Sequence, residues 1–122
     1  MTQENAAWPT EIRLNSGKTR LNVAFEAGDS FEYGAEYLRV MSPSAEVQGH
    51  SPDQRVTVPG KQDVMIKAVE PVGNYAVRIT FDDGHNTGLY SWDYLHELGV
   101  SYDARWQEYL DELKQKGLTR IG

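Results

Sequence analysis

One stretch of the chain, residues 73–99 (GNYAVRITFDDGHNTGLYSWDYLHELG), constrains the fold more than any other. Its first part alternates apolar and polar residues, and this period of two predicts a strand with one buried face. The large apolar residues on that face are Tyr75, Val77, Ile79 and Phe81. Asp83-Gly84 is a turn dipeptide, because glycine adopts positive φ without steric cost, and Ser91 is suited to cap a following helix. The stretch therefore predicts strand, tight turn, strand and helix in one continuous unit.

The residues before this stretch suggest that the same unit occurs twice. Residues 11–26 carry the pattern of a hairpin, and residues 35–39 carry that of a short helix. The order Phe25-x-x-Gly28 then Tyr37-Leu38 is similar to the order Phe81-x-x-Gly84 then Tyr94-Leu95. Two hairpins can also share such residues by chance, and that alternative stays open at this point. If the repetition is structural, the two units pack as similar halves of one domain.

At 122 residues the chain is long enough for one domain with a core of its own. We expect residues 1–8 to be a flexible N-terminus and residues 9–122 to be that domain. Apolar residues recur at helical spacing near the end and predict a last helix over residues 103–116. The predicted fold class is α+β: a small, mostly antiparallel sheet domain built from two similar strand-turn-strand-helix units plus a C-terminal helix.

Residues 41–62 form the long connection between the two units. Ser42 followed by Pro43 predicts an N-cap and the first residue of a helical turn over 43–48, which Gly49 would end. A connection of this length in a compact domain is usually functional or mobile. A strand is predicted after it, over residues 64–69, and Glu70-Pro71 would end that strand.

Charge and cysteine content exclude several classes of function. The net charge is -6 and the isoelectric point is about 5.0, which argues against nucleic acid or an anionic membrane as the main partner. The chain has no cysteine, so it cannot form a disulfide scaffold, a thiolate metal site or a cysteine nucleophile. No leader is evident and no apolar run is long enough to span a bilayer, so we expect a cytoplasmic protein.

The central stretch closely resembles the gamma-butyrobetaine hydroxylase-like N-terminal domain family, a domain of unknown function. The resemblance is carried by Gly73-Asn74-Tyr75-Ala76, Arg78-Ile79-Thr80-Phe81, Asp83-Gly84-His85, Thr87-Gly88, Tyr90-Ser91-Trp92 and Tyr94-Leu95, with weaker matches at Pro9-x-x-Ile12-x-Leu14 and Leu38-Arg39. In the family, this domain precedes the catalytic barrel of some 2-oxoglutarate-dependent oxygenases or is appended to P-loop ATPases that handle iron–sulfur clusters. This chain has no room for the barrel and lacks the G-x-x-x-x-G-K-[ST] phosphate loop, so the oxygenase activity is not carried over.

The resemblance also implies where a metal site has been lost. In the oxygenase branch a C-x-C-x-x-C run and a distant histidine bind zinc, and the matching positions here are Ser42, Ser44, Val47 and His85. Three thiolates are missing, so that zinc site cannot form, and we expect no cofactor. The replacement loop looks like the version found in small bacterial relatives, and the resemblance places it close to His85.

Two kinds of chemistry remain to be weighed in this loop. Glu46, His50 and His85 could together hold a divalent metal with open positions, although His85 could instead cap its own turn and His50 could be solvated. Ser42 or Ser44 with a histidine could in principle carry acyl transfer, but no nucleophile elbow or oxyanion hole is recognisable. We therefore expect no metal and no catalytic residues. Ser42, Ser44, Glu46, His50 and His85 stay as candidate binding residues.

The function that the sequence favours is a non-enzymatic protein-binding or accessory module. A link to metal-cofactor or iron–sulfur metabolism rests only on the company that the family keeps. The alternative is a metal-dependent or small-molecule-binding protein that uses residues 42–50 and His85. We expect a monomer whose partner is another protein.

Overall fold

A computed structural model of the chain describes residues 8–49 and 51–121. The predicted flexible N-terminus therefore falls, except for Trp8, outside the described residues, and so does His50. The strands are β1 (Pro9–Leu14), β2 (Arg20–Phe25), β3 (Ser30–Gly34), β4 (Ile66–Val72), β5 (Ala76–Phe81) and β6 (Leu89–Ser91). The helices are α1 (Ala35–Val40), α2 (Ala45–Gln48), α3 (Trp92–Val100) and α4 (Tyr102–Gln115), and Pro52–Gln54 forms a short 3-10 turn.

The strands form two antiparallel sheets, in the orders β1-β2-β3 and β4-β5-β6. Each sheet is a meander of three strands, and each is followed directly by a helix. In the first sheet Val23 pairs with Phe31, and in the second Val77 pairs with Tyr90. The alternation of the sequence places the apolar residues of both meanders on the faces that form a single core. The α+β prediction is confirmed.

The two meander-helix units repeat one another in detail. In the first, Gly28 N donates to Phe25 O at 2.9 Å, and in the second Gly84 N donates to Phe81 O at 3.0 Å. Gly28 has φ +108° and Gly84 has φ +92°, so both turns need the left-handed region that favours glycine. The similarity between the two halves of the sequence is therefore structural.

Replacing either turn glycine by valine should destabilise the fold by about 1–3 kcal/mol. A Cβ atom at either position meets no atom within 4 Å, so the cost comes from backbone strain and not from a clash. Urea unfolding of Gly28→Val and Gly84→Val measures it. Gly17→Ala, at a glycine without positive φ, is the control. Unfolding midpoints equal to that of the wild-type protein would show that these turns do not require glycine.

Four tyrosine hydroxyls join the two units reciprocally. Tyr33 of β3 donates to the Leu95 carbonyl of α3 at 2.5 Å, and Tyr90 of β6 donates to the Leu38 carbonyl of α1 at 2.6 Å. A second pair repeats the exchange: Tyr37 donates to Leu98 O at 2.7 Å, and Tyr94 donates to Met41 O at 2.5 Å. Each unit thus supplies hydroxyl donors to backbone carbonyls in the helix of the other or, at Met41, in the residue that ends it.

Several element boundaries differ from those predicted. Tyr75 is 55% exposed because β5 begins at Ala76, so this tyrosine belongs to the turn and not to the buried face. β4 continues through Pro71, which an edge strand tolerates because its outer backbone groups join no ladder. The first residue of α2 is Ala45, with Ser44 as its cap, instead of a helical turn starting at Pro43.

α4 closes the core at the C-terminal end of the chain. Tyr109 and Leu113 are buried, and the Tyr109 hydroxyl donates to Val58 O at 2.5 Å. Arg55 forms an ion pair with Glu112 on the same helix, so α4 holds part of the long connection in place. Among the described residues, none of the helices has the length and apolar character needed to cross a membrane.

Candidate functional site

The connection after α1 is organised by two buried serines. Ser42 is fully buried, and its Oγ lies 2.8 Å from His85 Nε2. Ser44 Oγ accepts from Glu46 N at 3.1 Å, which caps α2, and lies 2.7 Å from Thr87 Oγ1. The structure therefore brings the segment that begins at Ser42 against the turn that follows β5, as the resemblance implies.

His85 is bound on both sides of its ring. Its Nδ1 lies 3.2 Å from a carboxylate oxygen of Glu46, and Ser42 occupies the Nε2 side. Burial lowers the pKa of His85, the Arg39 cation lowers it further, and together they outweigh the opposite effects of Glu46 and Asp83. These effects favour the neutral ring, and in the tautomer with the proton on Nδ1 that proton faces Glu46 while Nε2 accepts from Ser42.

Serine, histidine and carboxylate in this order resemble a nucleophile with its base and orienting group. A catalytic serine must be accessible to substrate, whereas a structural serine need not be. Ser42 has no exposed surface, and its Oγ also accepts from Ser44 N at 3.2 Å. A substrate carbonyl could not reach this oxygen without displacing the segment, so the geometry offers no support for acyl transfer. The chain of hydrogen bonds instead holds residues 42–46 against the second unit.

Three of the four positions that match the zinc ligands of the oxygenase branch lie close together: Ser42, Ser44 and His85. Ser42 and Ser44 contact the segment that carries His85, and Val47 is buried in α2, but two hydroxyls and an isopropyl group are not a zinc ligand set. Within residues 8–49 and 51–121, no group of three or more His, Cys, Asp or Glu side chains could hold a metal ion. Of the three metal candidates, Glu46 and His85 are in contact, and His50 lies outside the described residues.

We expect the purified protein to contain no stoichiometric zinc, iron or nickel, because both His85 nitrogens contact protein groups. Elemental analysis of protein purified without chelator measures this. The matched variant is His85→Ala. A metal present at one ion per chain in wild-type protein and absent from the variant would contradict the prediction. It would favour the metal-dependent alternative.

An ion-pair cluster lies beside His85. The Asp83 carboxylate accepts from Arg39 Nε at 2.8 Å and from His85 N at 3.0 Å, and Lys61 Nζ lies 2.6 Å from it. Burial raises the pKa of Asp83, but the hydrogen bonds from Lys61, His85 N and Arg39 outweigh it and hold the pKa well below its usual range. Arg39 Nη1 is buried and has no hydrogen-bond partner among the described residues, so Asp83 provides the main compensation for this cation.

A second candidate site is a groove of about 810 Å³, here called the α4 groove. It lies between the first turns of α4 and the first unit, and residues 62–65 and Arg120 complete its walls. Met65 and Tyr102, which are 41% and 40% exposed, present apolar surface inside it. Its volume is within the range of sites that bind small molecules or peptide side chains.

The wall of the α4 groove is held rigidly by rings and by one ion pair. Tyr102 stacks on Trp106 at an interplanar angle of 11° and meets Tyr37 edge-on with 4.8 Å between ring centres. Arg120 lies 5.3 Å from the centre of the Trp106 ring and donates two hydrogen bonds of 2.8 Å to Glu36. A wall that is already ordered loses little side-chain entropy on binding.

The comparisons with known proteins identify the family. Residues 12–96 match the family described as gamma-butyrobetaine hydroxylase-like, N-terminal. The chain belongs to this family. No curated protein is similar to the chain at a significant level.

The solved structures that resemble the chain include three that cover all or most of it. Two are solution NMR structures, with 44% and 42% sequence identity and a TM-score of 0.82 each. They cover 95% and 98% of this chain, which covers 91% and 89% of theirs. The third is the crystal structure of a protein of unknown function of the DUF971 family from Acidithiobacillus ferrooxidans, with 37% identity and a TM-score of 0.61. It covers 75% of this chain, which covers 91% of it.

Proposed function

We propose that the chain is a non-enzymatic protein-binding module, a cytoplasmic accessory protein that docks a partner in the α4 groove. The observation that carries the proposal is the exposed apolar surface of Met65 and Tyr102 inside a groove whose wall is ordered by Trp106 and the Arg120–Glu36 pair. Met, Tyr, Trp and Arg are the residues enriched in protein interfaces.

The other candidate residues fit a structural role better than a binding role. Ser42, Ser44 and His85 are at least nine-tenths buried, and their polar atoms bind one another or neighbouring residues. Glu46 is the exception, because its side chain is 66% exposed. The family's association with oxygenases and with iron–sulfur ATPases suggests that the partner belongs to metal-cofactor metabolism, where this chain would act without a ligand set of its own.

Partner capture with a matched pair of variants tests the proposal. Met65→Glu places a charge in the groove, and Val56→Glu places the same charge at a side chain of similar exposure, 48%, outside the groove. Both side chains are exposed, so both variants should melt near the wild-type temperature. Tagged proteins are used to recover partners from the host cells, and recovery is quantified by mass spectrometry.

We expect a defined partner to be lost with Met65→Glu and retained with Val56→Glu. Equal recovery with both variants would contradict the proposal. Glu46→Ala is a third arm. Loss of the partner with Glu46→Ala and not with Met65→Glu would move the binding surface to the 42–50 segment.

A further inference from the structure

We infer that the occupant of the α4 groove is a basic segment with an apolar anchor: a peptide stretch in which lysine or arginine flanks one large apolar side chain. The inference rests on the proposed function and names the chemistry of the partner. The groove supplies both halves of this recognition, an exposed apolar surface and an excess of carboxylates over cations among its lining residues.

The apolar half is formed by side chains from two separate segments. Met65 precedes β4, and Tyr102 begins α4, and both keep about two-fifths of their surface exposed. Met65 accommodates side chains of varied shape, because methionine is flexible and polarizable. An apolar side chain of the partner that enters the groove would bury part of this exposed surface.

The charged half is formed by carboxylates that outnumber the cations: Glu32, Glu36 and Asp63 line the groove together with Arg20 and Arg120. Glu36 is paired with Arg120, but Glu32 and Asp63, which also line the groove, make no ion pair with another described residue. Arg20 also lines the groove and makes no ion pair with another described residue. Two unpaired carboxylates and one unpaired cation leave the groove with a net negative charge. Arg20 remains available as a donor to a backbone carbonyl of the bound segment.

The net charge of the whole chain also favours a cationic partner. A net charge of -6 attracts a cationic segment over long range and repels an acidic one. Long-range attraction alone would not select a site, however. Selection of this groove requires that its own two carboxylates contribute more than carboxylates elsewhere on the surface, and that difference can be measured.

Selection from a phage-displayed library of random short peptides tests the inference without assuming a sequence. Wild-type protein is the bait, and Met65→Glu and Tyr102→Ala are used to remove peptides that bind elsewhere. Thermal melts establish that both variants are folded, and either one alone is sufficient for the subtraction. We expect the retained peptides to share one large apolar residue and an excess of lysine and arginine over aspartate and glutamate.

The affinity of the selected peptides is then compared for two double variants that remove the same charge. Glu32→Gln/Asp63→Asn should weaken binding roughly 3- to 10-fold at low salt, the range expected for two exposed ion pairs. Glu26→Gln/Glu108→Gln removes two exposed carboxylates that do not line the groove and should leave the affinity nearly unchanged.

The outcomes separate this inference from the function on which it rests. Retained peptides that are neutral or acidic, or equal weakening by the two double variants, would overturn the basic occupant and leave the groove as a docking site. If the library yields no peptide that distinguishes wild-type protein from Met65→Glu, and partner capture does not either, both proposals fail. Self-association that Met65→Glu abolishes would identify a second copy of the chain as the occupant and overturn the inference.

Discussion

Replacing Tyr90 by alanine is expected to lower the free energy of unfolding by about 3–5 kcal/mol, a large part of the stability of a small domain. Tyr90 is fully buried, and its hydroxyl donates to Leu38 O at 2.6 Å. The substitution opens a cavity in the core and leaves a buried carbonyl without its donor. Tyr90→Phe removes the hydroxyl alone and should cost about 1 kcal/mol.

The equivalent tyrosine of the first unit provides a second variant, and an exposed tyrosine provides a control. Tyr33→Ala should cost a similar amount, because Tyr33 is 1% exposed and donates to the equivalent carbonyl, that of Leu95. Tyr75→Ala, at a side chain 55% exposed, should stay within about 0.5 kcal/mol of wild type. Urea unfolding of all these variants measures the differences. If Tyr90→Ala and Tyr75→Ala unfold at the same midpoint, the hydroxyl exchange does not hold the two units together.

Replacing Asp83 by asparagine should be the next most damaging change, at about 2–3 kcal/mol. Removing one partner of a fully buried ion pair costs roughly 3–5 kcal/mol, and this cluster is not fully enclosed. The side chains of Arg39, Asp83 and Lys61 are 12%, 20% and 23% exposed. The asparagine leaves the Arg39 and Lys61 cations with no carboxylate to compensate them.

The pH dependence of the same variant identifies charge as the cause. The pKa of Asp83 is lowered in the folded protein, so the unfolded chain binds its proton first as the pH falls. The stabilisation is therefore complete above the unfolded pKa of about 4 and is lost below it. The stability difference between wild type and Asp83→Asn should be constant near pH 7 and shrink below about pH 4. Urea unfolding across this pH range measures the stability difference, and Glu108→Gln is the surface control. A stability difference that does not change with pH would exclude the carboxylate charge as its source.

The sequence predicted the repeated unit because local signals determine it. Alternation, a glycine in each turn and a serine before α3 all act over a few residues, and Ser91 does accept from Tyr94 N at 3.2 Å. The errors occur where local signals conflict. Ser42-Pro43 is as good a helix start as Ser44-Ala45, but Ser42 Oγ is engaged by His85, which is distant in sequence.

The α4 groove could not be predicted, because its lining comes from segments that only the tertiary fold brings together. Trp106 lies at helical spacing with the buried Tyr109 and Leu113, but it is half-buried and forms part of the groove wall. Met65 lies between the buried residues Val64 and Ile66, and alternation places its side chain away from the core without indicating that another element faces it. Periodicity indicates which residues lie outside the core, but it does not indicate which of those residues the tertiary fold brings into contact.

The reciprocal hydroxyl contacts relate the two halves of the chain as a two-fold axis relates the subunits of a symmetric homodimer. In a two-fold interface, if residue i of one subunit binds residue j of the other, then residue j of the first binds residue i of the second. Tyr33 with Leu95 and Leu38 with Tyr90 satisfy that condition between the two halves of a single polypeptide. Residues 41–65 then serve as a tether that raises the effective concentration of one half for the other. A solitary unit would expose these tyrosines and its side of the shared core to water, so we expect neither half to fold alone.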